Sequence, residues 1–163
     1  MAKIALVTGG SRGLGKDMAF SISRSGHDVI IRYRTKEEEA AEVVAGIEKT
    51  GRKAAALRLD MSDIASLPAF VESVQHTLHS HWGTDKLDFL VNNAGMGATV
   101  AFEQVTESLF DEFMLVHFMG VYFLTQQLLP SMNHNGGIIN ISTGTTRFTI
   151  PGYSVYASMK GAV

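Results

Sequence analysis

Ile4-Ala5-Leu6-Val7-Thr8-Gly9-Gly10-Ser11-Arg12-Gly13-Leu14-Gly15 is the stretch that decides the fold. A short apolar run ends in a glycine-dense turn, and Gly15-Lys16-Asp17-Met18-Ala19-Phe20 then takes up a helical pattern. Strand, tight turn and helix in that order aim the first free amides of the helix at whatever lies above the strand end. Those amides and the helix dipole favour an anion, typically the pyrophosphate of a dinucleotide. Gly9 and Gly13 can take backbone angles closed to other residues, and Gly15 lets helix and strand approach closely. Glycine patterns match many loops by chance; the flanking strand and helix make this one specific.

Outward from that stretch the alternation continues. The first helix runs from about Gly13 to Ser25 and stops at Gly26, and Asp28–Tyr33 reads as a second strand. A charged helix follows over roughly Lys36 to Thr50, with Ala40, Val43, Val44 and Ile47 as its apolar stripe. Ala54–Leu59 makes a third strand, closed by Asp60. Ser62 or Asp63 is placed to cap the next helix, whose Leu67, Phe70, Val71 and Val74 share a face. Leu87–Val91 is a fourth strand that runs into Asn92-Asn93-Ala94-Gly95. A long helix over about Thr106 to Met132 leads to a fifth strand at Ile138–Ile141, and a last helix begins near Tyr153. Strands separated by helix-length segments predict an α/β fold: one domain over residues 1–163, with a doubly wound parallel sheet and right-handed crossovers. The fifth strand would lie at an edge with its outer groups unpaired. The last helix is cut at Val163, so the sheet reads as truncated after that strand.

Composition excludes several function classes. At 163 residues, 45% apolar and 18% charged, the chain is an ordinary globular one. A net charge of −2 gives no reason to expect nucleic acid or an anionic membrane as partner. With no cysteine there is no disulfide and no thiolate metal site. No basic stretch precedes an apolar one at the N-terminus, so no signal peptide is expected, and no uninterrupted apolar run approaches membrane-spanning length. The expected location is the cytoplasm. His76, His79 and His81 form a His-x-x-His-x-His cluster, but only the first two can share a helix face. No carboxylate stands at ligand spacing, so a solvated helix end is the better reading than a metal site. Glu37-Glu38-Glu39 suits the positive end of a helix dipole.

Three features fall at the carboxyl ends of the strands, where ligands bind in open α/β sheets. They are the Gly9–Gly15 loop, Asn92-Asn93-Ala94-Gly95, and Ser142-Thr143 after the fifth strand. Tyr156-Ala157-Ser158-Met159-Lys160 comes close behind, and on a helix Tyr156 and Lys160 share a face. An ammonium beside a phenol favours the phenolate, and a phenol so tuned can give or take a proton near neutral pH. Alone, such a pair reads as ordinary surface; the nucleotide loop reverses that.

Together these motifs resemble the short-chain dehydrogenase/reductase family, its 3-oxoacyl-ACP-reductase-like members in particular. Thr8-Gly9-Gly10-Ser11-Arg12-Gly13-Leu14-Gly15, Asn92-Asn93-Ala94-Gly95 and Tyr156-x-x-x-Lys160 match the family's motifs in order and spacing, over the whole chain. The resemblance implies a Rossmann-type sheet, a nicotinamide cofactor, and reversible carbonyl/alcohol chemistry on a small-molecule substrate. It implies a homodimer or homotetramer, paired through the long helix and the Tyr/Lys helix. It also implies further strands and a substrate loop that this sequence lacks. By position, Tyr156 is the acid/base, and Lys160 lowers its pKa and holds the nicotinamide ribose. Cofactor contacts fall to Gly9, Ser11, Arg12, Gly13, Leu14, Gly15, Asn92, Ala94 and Gly95, together with Tyr156 and Lys160.

Two positions depart from the family. Its substrate-binding serine, about thirteen residues before the tyrosine, falls at Thr143, which keeps the hydroxyl donor; Ser142 is the alternative stand-in. Its long-helix asparagine, which helps hold a proton-relay water, is His117 here. With Phe110, Phe113, Met114, Val121 and Leu124, His117 is expected on the inward helix face. An imidazole donates and accepts, so His117 is either a relay or a satisfied core histidine in a slower or non-catalytic protein.

Cofactor choice follows from the end of strand two. NAD-preferring members place an aspartate there, where this chain has Tyr33 and then Arg34, with Arg12 in the glycine loop. Two guanidiniums without a local carboxylate suit a 2′-phosphate, so NADP(H) is expected ahead of NAD(H). Asp60 is expected to accept from the adenine amino group and Met61 to flank the ring. The sequence therefore predicts an NADPH-dependent reductase of a ketone or 3-oxoacyl carbonyl. The alternative is a nucleotide-binding but catalytically incompetent protein or fragment. A methyltransferase with a similar sheet would leave Tyr156-x-x-x-Lys160 unexplained.

Overall fold

The computed structural model describes residues 2–163. Strands β1 (Ile4–Thr8), β2 (Asp28–Tyr33), β3 (Ala54–Arg58), β4 (Leu87–Asn92) and β5 (Met132–Asn140) form one parallel sheet in the order β3-β2-β1-β4-β5. Helices α1 (Gly13–Arg24), α2 (Glu37–Glu48), α3 (Leu67–Thr77), α4 (Glu107–Met114), α5 (Gly120–Leu128) and α6 (Ser154–Ala162) complete the chain. The doubly wound parallel α/β architecture expected from the alternation is present, and with it the Rossmann-type sheet that the resemblance implies.

Side chains alternate across each strand and so feed two cores. Leu6, Ile30 and Leu90 pack with Leu67, Phe70, Val74 and Leu124 on the α3–α5 side. Val7, Val29, Ile31 and Val91 pack with Ala19, Ala40, Val43 and Ile47 on the α1–α2 side. Because helices cover both faces, β1 and β2 are buried along their whole length, as parallel strands usually are. The chain builds outward from β1 to β3, then returns to lay β4 on the other side of β1. That reversal opens a crevice above the carboxyl ends of β1 and β4.

Several local expectations need correction. The long helix is not uniform: a π-helical turn, Leu115–Met119, separates α4 from α5 and carries His117. Phe110 sits on its outer side, 40% exposed, whereas Phe113, Val121 and Leu124 do turn inward. The continuous helical stretch Glu107–Ser131 has 25 residues and a mean hydropathy of 1.2 in its most apolar window, so by length and composition it could span a bilayer. In this fold Leu124 and Leu128 lay one of its faces on the α3 side of the sheet. No side chain caps α3: Asp63 makes no capping bond, and Ser62 turns back to Asp60. Strand β3 ends one residue before Leu59, and β5 starts well before Ile138. The edge position expected for β5 holds, and neighbouring Ile138 and Ile139 are 40% and 52% exposed.

Candidate active site

The glycine loop is shaped by steric exclusion. Gly9 and Gly13 have φ of +69° and +54°, where side chains are strained. A Cβ on Gly15 would lie 2.1 Å from the Gly9 carbonyl oxygen and 2.5 Å from Asn93 Nδ2. Only glycine lets α1 begin so close to β1. Arg12, at the N-cap of α1, makes no side-chain capping bond, so the amides of the first turn stay open to a ligand.

Thr8 ties this loop to the one after β4. Its Oγ1 accepts from Asn93 N at 3.0 Å and Ala94 N at 2.9 Å, and donates to Val91 O at 3.3 Å. Asn93 Nδ2 donates to Thr8 O at 2.9 Å. The two loops bound a cleft of about 660 Å³. Of the residues expected at the cofactor, Gly9, Ser11, Arg12, Gly13, Leu14, Gly15, Tyr33, Arg34, Asp60, Met61, Ala94 and Gly95 line it. Asn92 does not. As the last residue of β4 it points the other way, its Nδ2 donating to Thr125 Oγ1 at 3.0 Å and Asn140 Oδ1 at 2.9 Å. Asn93, one residue on, holds the cleft wall instead.

Sequence reasoning also missed Arg32, which is buried in β2 beneath the rim and lines the same cleft. Its Nη2 donates to Leu59 O, and its Nε has no partner. Burial, with the Arg34 charge adding to it and Asp60 opposing, pushes its pKa down to about 10, so it stays a cation at neutral pH. Arg34 Nε lies 3.3 Å from Asp60 Oδ2, which corrects the picture of a rim free of carboxylates. Burial pushes the Asp60 carboxyl up, but two hydrogen bonds from Ser62 and the Arg34 and Arg32 charges outweigh it and hold the group below its ordinary value. Met61 lines the cleft and is also buried in the core, against the position where Gly120 admits α5.

His117 is wholly buried behind the Ala94–Gly97 wall. Its Nε2 lies 2.9 Å from Met96 O and 3.2 Å from Met96 N, while Nδ1 has no partner. Burial chiefly, with the Lys160 charge, lowers its pKa to about 4 against one opposing bond from Met96, so the imidazole is neutral at pH 7. Its ring meets Tyr156 edge-on at 5.4 Å, and Tyr156 in turn meets Phe113 at 6.5 Å.

Helix α6 is clasped to the end of β5. Lys160 Nζ donates to Ile141 O at 2.7 Å, and Ser142 Oγ donates to Lys160 O at 2.9 Å. Burial pushes the Lys160 ammonium below its ordinary pKa. Ser142 thus spends its proton on the clasp. Thr143 Oγ1 only accepts, from Thr145, so its own proton is free to donate. Tyr156, Lys160, Ser142 and Thr143 stand outside the cleft lining, and Tyr156 reaches the cleft wall through His117 and Met96.

Residues 3–163 match the family described as short chain dehydrogenase. The chain belongs to the short-chain dehydrogenase family. A short-chain dehydrogenase/reductase of Pestalotiopsis microspora is 35% identical over 99% of this chain and 59% of its own length. A tetrahydroxynaphthalene reductase of Pestalotiopsis fici is 35% identical over 99% of this chain and 56% of its own. The angucycline C-6 ketoreductase LanV, solved with NADP bound, superposes with a TM-score of 0.95 at 38% identity, over 98% of this chain and 62% of that one. The chain therefore spans about three fifths of the length of the family members it matches.

The neutral state of His117 makes a pH prediction. Its folded pKa of about 4 lies below the ordinary 6.5, so between these values the unfolded chain binds more protons. Its contribution is intact above pH 6.5 and is lost as pH falls toward 4, by about 3 kcal/mol at most. Urea midpoints of wild type and His117→Asn should diverge at pH 7 and converge at pH 4.5. Parallel curves would show that His117 does not titrate this way.

Proposed function

We propose that this chain carries the nucleotide-binding and acid/base parts of an NADPH-dependent reductase of a ketone or 3-oxoacyl carbonyl. One observation carries the reading: α6, locked to β5 through Lys160 and Ser142, sets Tyr156 against His117, which holds the wall of the cleft. The cleft fits a dinucleotide, because the Gly15 position admits no side chain and the first-turn amides of α1 have no cap. Gly9–Gly15 would hold the pyrophosphate, and Arg12 and Arg34 the 2′-phosphate. When bound, NADPH supplies the hydride. Tyr156 Oη holds the proton for the substrate oxygen, Thr143 Oγ1–H orients that oxygen, and the Lys160 ammonium faces the charge that develops. Oxidation of NADPH with a panel of ketones tests the reading.

Cofactor preference has its own test. Arg34 leaves only an exposed ion pair to meet a phosphate, which costs little. Arg34→Leu should weaken NADPH by about 10- to 100-fold and leave NADH nearly unchanged, as loss of a charge-assisted phosphate contact requires. Equal losses for the two cofactors would remove Arg34 from that role. We place a second subunit on the outer face of the Glu107–Ser131 helical stretch, where Phe110, Tyr122 and Leu129 are exposed.

A second reading, nucleotide binding without turnover, is favoured by the buried, clamped His117, which leaves a relay only Nδ1. His117→Asn raising turnover would support the reductase with a hampered relay. NADPH binding with no oxidation, in wild type and variant alike, would support the non-catalytic reading.

A further inference from the structure

The amino ends of the strands, opposite the nucleotide cleft, open a second cavity of about 620 Å³. Its walls carry four cations from three separate segments: Lys3 ahead of β1, Arg52 and Lys53 between α2 and β3, and Lys86 ahead of β4. Two carboxylates share the cavity, and both are already engaged. Asp28 accepts from Lys53 N at 3.0 Å and from Trp82 Nε1 at 2.8 Å. Asp88 accepts from Ile4 N and from Asn133 Nδ2, each at 2.8 Å. Arg52 alone of the four cations approaches a carboxylate, at 3.9 Å from Asp28, among the described residues.

The lysines therefore keep unspent donors. Lys53 Nζ donates to His81 O at 2.6 Å and Lys86 Nζ to Pro130 O at 3.0 Å, each leaving two N–H groups over. Lys3 Nζ lies 5.1 Å from the centre of the Phe89 ring and has no oxygen partner among the described residues. A chain with a net charge of −2 thus concentrates a positive excess in one concave site. The cavity volume falls in the range of small-molecule sites, which a helical polyanion cannot enter. Point charges spread over separate segments match the spread oxygens of a di- or triphosphate better than one planar carboxylate.

We propose that this cavity binds a small polyphosphate. The proposal is independent of the reductase reading: the two sites lie at opposite ends of β1, five residues apart along the strand.

The chain's single tryptophan, Trp82, lines the cavity, so its fluorescence reports on this site. Titration with inorganic pyrophosphate and tripolyphosphate, at constant ionic strength, should give a saturable change in emission. The midpoint should be lower for tripolyphosphate. Lys3→Gln and Lys86→Gln should each raise it by about tenfold. Lys3 is exposed, so its variant should keep the wild-type urea midpoint and serve where Lys86→Gln perturbs the fold. Arg12→Gln, in the glycine loop, should leave the Trp82 midpoint where it is. No saturable change, a midpoint indifferent to both lysine variants, or equally tight citrate would each overturn the proposal.

Discussion

Tyr156→Phe is expected to lower the turnover of NADPH-dependent carbonyl reduction by about 10²- to 10⁴-fold, the range that a positioned proton donor contributes. The change removes one oxygen and keeps the ring. The edge-on contacts of Tyr156 with His117 and Phe113 are ring contacts, so the phenylalanine should retain the packing that seats α6. The nucleotide cleft does not include Tyr156 among its lining residues, so NADPH affinity should change little. A steep loss of kcat with an unchanged NADPH midpoint and an unchanged urea midpoint is the signature sought. Lys160→Met offers a contrast. It deletes a buried ammonium and leaves the Ile141 carbonyl without its donor, so it should lower both turnover and stability. If Tyr156→Phe turns over at the wild-type rate, the proton comes from elsewhere and the acid/base assignment is lost.

The fold was readable because its signals are local. The β1–turn–α1 stretch, the glycine stops and the stripe of α2 each lie within a dozen or so residues, and each is present in the structure with bounds shifted by a residue or two. The place of the cleft was readable for the same reason: twelve expected cofactor positions line it because they sit at the carboxyl ends of strands or in the turns and first helix residues that follow. The failures share a different cause. Asn92 and Asn93 are neighbours at a strand end, and side chains alternate there, so one serves the core and the other the cleft. Nothing in the dipeptide itself says which.

Other misses depend on contacts between distant parts of the chain. Arg34 and Asp60 come together only because β2 pairs with β3 in a particular register. The π-helical turn at Leu115–Met119 leaves no mark in an apolar pattern of ordinary helical period, yet it sits at His117. Such turns are frequent at functional positions, where the altered period re-aims a side chain. Here it accompanies the inward placement of His117 against the Met96 backbone. Arg32 was hidden by its position in a buried strand, where an arginine is not expected without a partner.

Gly15→Ala should abolish dinucleotide binding, with a loss of more than about 10²-fold, while Gly13→Ala should keep most of it. The two glycines belong to one motif but serve for different reasons. At Gly15 a methyl group would meet the Gly9 carbonyl oxygen at 2.1 Å and its carbon at 2.8 Å, and both are backbone atoms. The Gly9 loop has little room to retreat, because its own Cβ position is already 3.0 Å from Ala94 Cα. Helix α1 must therefore move off β1, which withdraws the first-turn amides from the anion and breaks the Asn93 bridge to Thr8 and Gly9. Overpacking of this kind costs about 1–3 kcal/mol of stability in addition. At Gly13 nothing lies within 4 Å of the added carbon, and only the φ of +54° opposes it. That strain costs about 1–2 kcal/mol and leaves the amides in place. NADPH fluorescence titrations of the two variants, read beside their urea midpoints, separate contact from conformation. Equal losses would mean that backbone strain alone accounts for the motif, and the close approach of α1 to β1 would cease to explain why residue 15 is glycine.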